Sequence, residues 1–452
     1  MKILIAGCGK VGQTLAQELS AEGHDLTLLD QNPHVLEVGI ERYDVIAVQG
    51  NCASMHALHQ AGVESADLLI ACTGSDELNL LACATAHMIQ PNIHTIARVR
   101  NPEYTEQAFE MRRAFGLSMT FNPELQAAIE IERLLKMPGF LKRDTFARGR
   151  VEIVELRVDE GSKLCDVSLS GLHNIVKCRV LVCSVLREGK AITPDGHFTL
   201  RLGDRIFVTA PSDNLAMLLK NLGIVTHKVR RALIVGGGTL SYYLAQRLES
   251  SMIDATIMES DEGRCVELAT LLPDVDVIHG DPREDEILEG EELSEADALI
   301  SLTDSDELNM VLSLYAHQRR VPQVVTILDQ LGSTGITEQL PLGSVICPRQ
   351  LCCSTVVRYV RAMQNQAGAA ITIHSIADGQ AEALEFLIDE ETLYCETPLK
   401  KLKLRPNVLL VGIKSRSGTE IPGGDSVYRV GDSVVVVSSG ETVIGQFNDI
   451  FA

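Results

Sequence analysis

Short apolar runs alternate with helix-spaced apolar positions along the first 120 or so residues. Ile3–Ala6 is an apolar run too short for a helix and rich in strand formers. After it Leu15, Ala16 and Leu19 recur at helical spacing, and Leu26–Leu29 is a second strand-like run. The same reading predicts a helix after Pro33, a strand at Val45–Val48, a helix over Met55–Ala61 and a strand at Leu68–Ala71. A helix over Leu78–Ile89 stops before Pro91, with Ser75 as its N-cap and Asp76 and Glu77 in its first turn. A strand at His94–Val99, a helix over Glu103–Phe115 and a strand at Met119–Phe121 complete the series. Strand–helix alternation of this kind predicts an α/β domain with a doubly wound parallel sheet.

Asn122–Leu135 reads as a further helix, entered at Asn122-Pro123 and stopped by Met137-Pro138-Gly139. Arg133, Lys136, Lys142, Arg143, Arg148 and Arg150 then stand against Asp144 alone, which reads as a solvated linker or an interface to an acidic partner. From Val151 the pattern turns to strands: Val151–Val158, Val180–Leu186 and Arg205–Thr209. Gly189, Pro194-Asp195-Gly196 and Gly203-Asp204 are its turns, and this small α+β module ends near Gly223.

The chain then repeats itself. A shift of 229 residues lays Gly236 on Gly7, Gly238 on Gly9 and Glu259 on Asp30. A shift of 230 lays Ala296–His317 on Ala66–His87, with an identical S-D-E-L-N core, and Gly280-Asp281 on Gly50-Asn51. The strand-rich module recurs as well, Pro422-Gly423-Gly424 and Gly431-Asp432 matching Pro194-Asp195-Gly196 and Gly203-Asp204 at a shift of 228. The expected architecture is two tandem Rossmann-like doubly wound domains, each followed by a small α+β domain. The expected divisions are 1–122, a crossover helix and linker at 123–150, 151–223, 230–348, a second crossover helix at 349–370, and 371–452.

The first thirty residues carry the candidate chemistry. Gly7, Gly9 and Gly12 form G-x-G-x-x-G between a strand and a helix, and Asp30 ends the next strand. Gly7 permits a tight turn, Gly9 lets a pyrophosphate approach bare backbone, and Gly12 lets helix and strand pack closely. The helix N-terminus offers free N–H groups to the phosphates. Asp30 is placed to accept from a ribose diol and to repel a 2′-phosphate, so NAD is expected over NADP. In the second copy Ser241 replaces Gly12 and Leu328 replaces Arg98, so that pocket is expected to bind nucleotide more weakly, or to take a different one.

Composition narrows the partners. A net charge of −21 and the absence of Trp argue against a nucleic-acid partner. The twelve cysteines follow no C-x-x-C or zinc spacing and read as buried small hydrophobes in a reducing cytosol. The N-terminus reads as entering directly on a strand, so no signal peptide is expected, and no run of eighteen apolar residues is present to span a membrane. The acid-rich stretch Asp281–Asp297 lacks EF-hand spacing and reads as a solvated helix face rather than a metal site.

GCGKVG with Asp30, Gly50-Asn51, Thr73-Gly74-Ser75-Asp76-Glu77-Leu78-Asn79 and Ile96-Ala97-Arg98-Val99, followed by the same pattern again, resemble one family over essentially the whole chain. It is the family of peripheral cytosolic subunits of bacterial Trk potassium-uptake systems, made of two tandem regulator-of-potassium-conductance (RCK) units. The resemblance implies a homo-oligomer, a dimer or tetramer ring, at the inner face of the membrane beneath the membrane-embedded potassium-translocating subunit. It implies that NAD or NADH, and also ATP or ADP, sets whether that pore conducts. Carried over residue by residue, Gly7, Cys8, Gly9, Lys10, Val11 and Gly12 would line the phosphate loop, and Asp30 the ribose. Asn51 and Cys52 would lie beside the adenine, Thr73 and Gly74 would flank the loop after the fourth strand, and Arg98 would reach the phosphates. Gly236, Gly237, Gly238, Thr239, Leu240, Glu259, Asp281, Thr303 and Asp304 are the matching positions of the second half. Asn51 departs from the Asp usual in the family. The small domains look like the family's C-terminal regulatory domains.

The competing class is an NAD-dependent oxidoreductase, which needs an acid/base group facing the nicotinamide. His56 and His59 share a helix and His173 and His197 sit in turns, without a catalytic constellation. No H-E-x-x-H, G-x-S-x-G or P-loop motif is present. A sensor rather than a catalyst is therefore expected.

Overall fold

In a computed structural model the chain is described throughout except at residues 137–138, 148–149, 160, 223, 225–227, 285–290, 330–339, 364–369, 417 and 441–443. The expected stop at Pro138, the basic residue Arg148, the module end at Gly223 and much of the acid-rich stretch lie outside the described residues. Two compact units are distinguished. One is Met1–Ile129 with Gly238–Leu244 and Cys347–Tyr359; the other is Glu130–Gly237 with Ala245–Ile346 and Val360–Ala452.

The first unit holds β1 (Lys2–Ala6), β2 (Asp25–Asp30), β3 (Val45–Gln49), β4 (Leu68–Ala71), β5 (His94–Arg98) and β6 (Met119–Phe121). They form one parallel sheet in the order β3-β2-β1-β4-β5-β6. Helices cover both faces, so β1 and β4 are continuous apolar runs rather than alternating ones. Asn-Pro pairs open three of the helices. Asn32, Asn101 and Asn122 each accept a backbone N–H of the first turn, and the proline that follows has no N–H to leave unpaired. The helix expected over Glu103–Phe115 ends earlier, at Glu110, because the chain turns through Met111–Gly116, where Gly116 has φ +63°. Part of the helix Pro348–Met363 also belongs to this unit: Thr355 and Tyr359 touch Gln126 and His94, and the Cys353 thiol faces the Val11 carbonyl at 3.8 Å.

The second unit holds three sheets. β7 (Lys142–Phe146), β8 (Val151–Arg157), β9 (Leu181–Arg187), β10 (Lys190–Ile192) and β11 (Arg205–Ala210) are antiparallel in the order β10-β9-β11-β8-β7. β12 (Arg231–Val235), β13 (Asp254–Glu259), β14 (Asp276–His279), β15 (Ala298–Ser301), β16 (Gln323–Ile327) and β17 (Ser344–Ile346) repeat the parallel order of the first sheet. β18 (Ala370–Ile376), β19 (Ala381–Leu387), β20 (Val408–Ser415), β21 (Gly418–Glu420) and β22 (Ser433–Ser439) repeat the order of the second. Even the irregularities recur: β9 bulges at Cys183 against β11, and β20 bulges at the matching Val411 against β22.

One expectation needs correcting. The basic stretch expected to be a linker contains β7. Arg143 reaches across the sheet to the buried Glu152 of β8, its Nε–H donating at 2.5 Å, while Lys142 lies 3.5 Å from Asp144 on its own strand. The charge count reads as linker because the acid that answers Arg143 stands one strand further on.

The two small sheets share a core in which Phe146, Val151, Ile153, Cys183 and Phe207 meet Ile376, Ala383, Val411, Val435 and Val437. Gly412 sits directly under Val151, where a Cβ would come within 2.8 Å of a valine methyl. In the same unit Glu132, on the helix Pro123–Lys136, is 6% exposed and accepts from Lys136, Ser251 and Arg247, each at 2.6 Å.

Candidate functional site

The glycine loop after β1 is shaped by two close approaches and one opening. Gly7 has φ +96°, and a Cβ there would come within 2.6 Å of the Thr73 amide nitrogen. A Cβ on Gly12 would be driven into the Gly7 carbonyl oxygen. Gly9 has φ −68°, and a Cβ there would meet nothing within 4 Å. Gly7 and Gly12 therefore serve packing, while Gly9 leaves bare backbone at the N-terminus of the helix Lys10–Ala21. That is the geometry an anion requires.

Asp30 lies across the loop. Its Oδ2 accepts the Cys8 N–H at 2.6 Å and its Oδ1 accepts the Asn32 N–H at 2.9 Å. A carboxylate has about four lone-pair sites, so both oxygens retain capacity for a ribose diol. The Cys8 and Val11 side chains are buried, so these residues offer the pocket backbone only, while Lys10 is exposed. Cys52 is also buried, in the core behind the sheet, and burial pushes its thiol up to about 11. Exposed Asn51 uses its Oδ1 to accept the Ala53 N–H at 3.0 Å. Burial pushes the Cys72 thiol up to about 12, and it points at the Gly7 carbonyl at 3.2 Å. Neither cysteine is a ready nucleophile.

The S-D-E-L-N motif explains the other wall. Asn79 Oδ1 accepts the Thr73 N–H at 2.8 Å and the Thr73 hydroxyl at 2.7 Å, while its Nδ2 donates to the Arg98 carbonyl at 2.9 Å. Ser75 caps the helix by accepting the Leu78 N–H at 3.1 Å. Asp76 Oδ2 accepts the Arg100 and Asn101 N–H groups, each at 2.7 Å. Asn309 repeats the first two bonds to Thr303, both at 2.8 Å, and Asp306 accepts the Asp329 N–H at 2.8 Å. The repeated motif is thus a clamp that ties the loop after the fourth strand to the end of the fifth.

Arg98 hangs over this clamp, its Nη2 donating to the Thr73 carbonyl at 2.9 Å. Arg100, two residues on, donates Nη2 to the Gly74 carbonyl at 2.6 Å. Sequence reasoning passed over Arg100, although the spacing in Arg98-Val99-Arg100 was the available signal.

In the second half Glu259 takes the part of Asp30, its Oε2 accepting the Gly237 N–H at 2.5 Å and its Oε1 the Asp261 N–H at 2.8 Å. Gly236 has φ +112°. Gly238 has open space where a Cβ would stand, and it precedes the helix Thr239–Ser250, where Leu240 is buried. At the carried-over positions four substitutions alter the charge: Thr239 for Lys10, Leu328 for Arg98, Asp304 for Gly74 and Asp281 for Asn51. Asp281 is paired with Arg283, whose guanidinium holds its carboxyl down at about 2. Sequence reasoning also missed Arg264, which donates Nε to the Gly237 carbonyl at 2.6 Å beside Glu259. Its helical position gave no cue to that contact.

The TrkA-N domain model matches residues 3–123 and again residues 232–348, and the TrkA-C domain model matches residues 153–223. The chain belongs to the TrkA family. Among TrkA relatives, the Trk system potassium uptake protein TrkA homolog of Archaeoglobus fulgidus is 30% identical over 98% of both chains. The Trk system potassium uptake protein TrkA of Haemophilus influenzae is 28% identical over 100% of this chain and 98% of its own. Among solved structures, the GsuK RCK domain aligns with a TM-score of 0.61 at 18% identity, covering 97% of this chain and 92% of that one. The GsuK channel bound to NAD gives 0.60 at 18% identity, covering 97% and 77%. These likenesses identify the chain's architecture as the RCK fold.

Proposed function

We propose that this chain is the nucleotide-sensing regulatory subunit of a Trk-type potassium uptake system. NAD or NADH, and also ATP or ADP, binds at the first glycine loop and gates a membrane-embedded potassium-translocating subunit. The observation that carries the reading is the open backbone at Gly9, set between Asp30 and the Arg98-bearing clamp, in a chain alignable end to end with Trk uptake proteins. The GsuK channel, with the same fold, has been captured with NAD. No helix among the described residues is long and apolar enough to cross a membrane, which fits a peripheral subunit reached through its partner. Assembly as a ring of identical chains at the inner membrane face belongs to the same reading.

The pockets are unequal. The first has Lys10 and Arg98; the second has Thr239 and Leu328 there and adds a carboxylate at Asp304, which repels phosphate, while the Asp281 carboxylate is answered by Arg283. The first pocket is therefore the principal polyphosphate site, and the second half carries a weaker one. The role is sensing without turnover. Gating requires differential affinity, and moving a two-state pore from 1:99 to 99:1 takes about 5.5 kcal/mol of it.

The test is potassium flux in vesicles carrying the translocating subunit, with and without this protein and each nucleotide. Nucleotide-dependent flux that Arg98→Ala abolishes supports the proposal, and flux indifferent to both refutes it. Steady NADH oxidation by the purified protein would point to an oxidoreductase instead.

A further inference from the structure

Four polar atoms behind Arg98 are shut off from solvent and lack a hydrogen-bond partner among the described residues: Arg98 Nε, Arg100 Nε, Asp76 Oδ1 and Glu124 Oε2. Arg100 Nε and Asp76 Oδ1 are 3.6 Å apart, too long for a hydrogen bond but an ion pair. The two carboxylates are not equivalent. Asp76 Oδ2 accepts two backbone N–H groups, whereas the buried oxygen of Glu124 accepts none. The groups facing Glu124 are Arg98 at the end of β5, Arg100 two residues beyond it, Asp76 from the helix Asp76–Ile89, and Tyr243 from the helix Thr239–Ser250. The Tyr243 hydroxyl is already committed, donating to the Arg100 carbonyl at 2.6 Å and accepting from Asn122 Nδ2 at 3.1 Å.

Without ligand, two guanidiniums face two carboxylates and the charge balances. A phosphate drawn to Arg98 adds negative charge to a poorly hydrated cluster. Of the acids there, Glu124 is the one with least to lose by becoming neutral. We propose that Glu124 is a proton-binding residue of the nucleotide site, taking up one proton from solvent when a nucleotide phosphate binds Arg98. The neutral carboxyl then donates its O–H within the cluster or to the phosphate, where the carboxylate could only repel. Burial already raises the Glu124 carboxyl above its ordinary range, against the field of Arg100 and Arg98, so the uptake starts from a receptive group. The inference rests on the reading of the first glycine loop as a phosphate site.

Calorimetric titration of NAD, whose diphosphate keeps its charge around neutral pH, into the full chain in two buffers of different ionisation enthalpy separates the outcomes. The expected result is a binding heat whose buffer dependence corresponds to uptake of about one proton. The observed Kd should rise toward about tenfold per pH unit once the pH exceeds the pKa of the free carboxyl. Glu124→Gln, which keeps the shape of the neutral acid, should bind with no buffer dependence and a flat pH profile. Binding without buffer dependence in the natural protein overturns the proposal while leaving the nucleotide site intact. So does a buffer dependence that persists in Glu124→Gln, or a folded Glu124→Gln protein that no longer binds. Absence of any nucleotide binding overturns the site itself.

Discussion

Replacing Gly9 and Gly12 separately by alanine separates the recognition work of the glycine loop from its packing work. At Gly9 the backbone is already in a conformation alanine adopts, with φ −68°, and the new methyl meets nothing within 4 Å. Folding stability should stay level or rise by about 0.4–1 kcal/mol, because the unfolded chain loses freedom. The methyl would occupy the approach line of a pyrophosphate. Denying the phosphates one backbone N–H forfeits a charge-assisted hydrogen bond worth about 1.5–3 kcal/mol, roughly a 10- to 150-fold weaker Kd. Gly12→Ala should do the reverse, since its methyl is driven into the Gly7 carbonyl oxygen. Overpacking of that kind costs about 1–3 kcal/mol and lowers Tm by a few degrees per kcal/mol. Thermal melts and calorimetric titration with NAD and ADP read the two effects. Unchanged affinity in Gly9→Ala, or an unchanged melt in Gly12→Ala, would refute the assignment of those roles. Gly238→Ala poses the Gly9 question in the second half, where a Cβ also meets nothing within 4 Å.

Three further outcomes are expected. Asn79→Ala removes three bonds of the clamp and should cost about 2–4 kcal/mol while loosening the Thr73 loop, read as a lower melt and faster amide exchange at Thr73; unchanged exchange would count against the clamp. Burial would raise the Glu132 carboxyl, but the bonds from Lys136, Ser251 and Arg247 outweigh it and hold it below the ordinary range. Its contribution is therefore complete above the unfolded carboxylate pKa and lost as pH falls through the lower folded value, so Glu132→Gln should narrow the stability gap between neutral and acid pH in urea melts. Burial lifts Cys72 and Cys83 to about 12, leaving on the order of one thiolate in ten thousand at pH 8, so thiol reagents should label half-buried Cys165, Cys178 and Cys395 first; early labelling of Cys72 would contradict its packing.

The duplication, the strand–helix order and the glycine loop were readable because each is written in local spacing. The period of apolar residues marks β1 and β4, and Asn-Pro pairs mark helix starts. The misread linker shows the limit. Arg143 looks solvated until β8 brings Glu152 beside it, and no spacing within 133–150 reveals that partner. Glu124, Arg264 and Tyr243 stayed hidden for the same reason. Their roles depend on groups contributed by other strands and helices, as when Tyr243 reaches the Arg100 carbonyl 143 positions away in sequence. Cys8 and Cys52 were expected to line the pocket, and the structure shows both side chains buried. Only the structure shows which of their atoms face it.

The back-to-back small sheets have an evolutionary consequence. Two identical modules meeting face to face must be self-complementary, so any enlargement on one side is imposed on both. Carried on one polypeptide, the two faces are free to diverge, and their meeting does not depend on dilution. Val151 reaches over Gly412, whereas the matching positions are Ala381 and Ser184, so bulk has moved from one side of the seam to the other. Halves expressed as separate chains should consequently prefer each other to their own twins: covalent fusion has turned a symmetric pairing into a lock with two different sides.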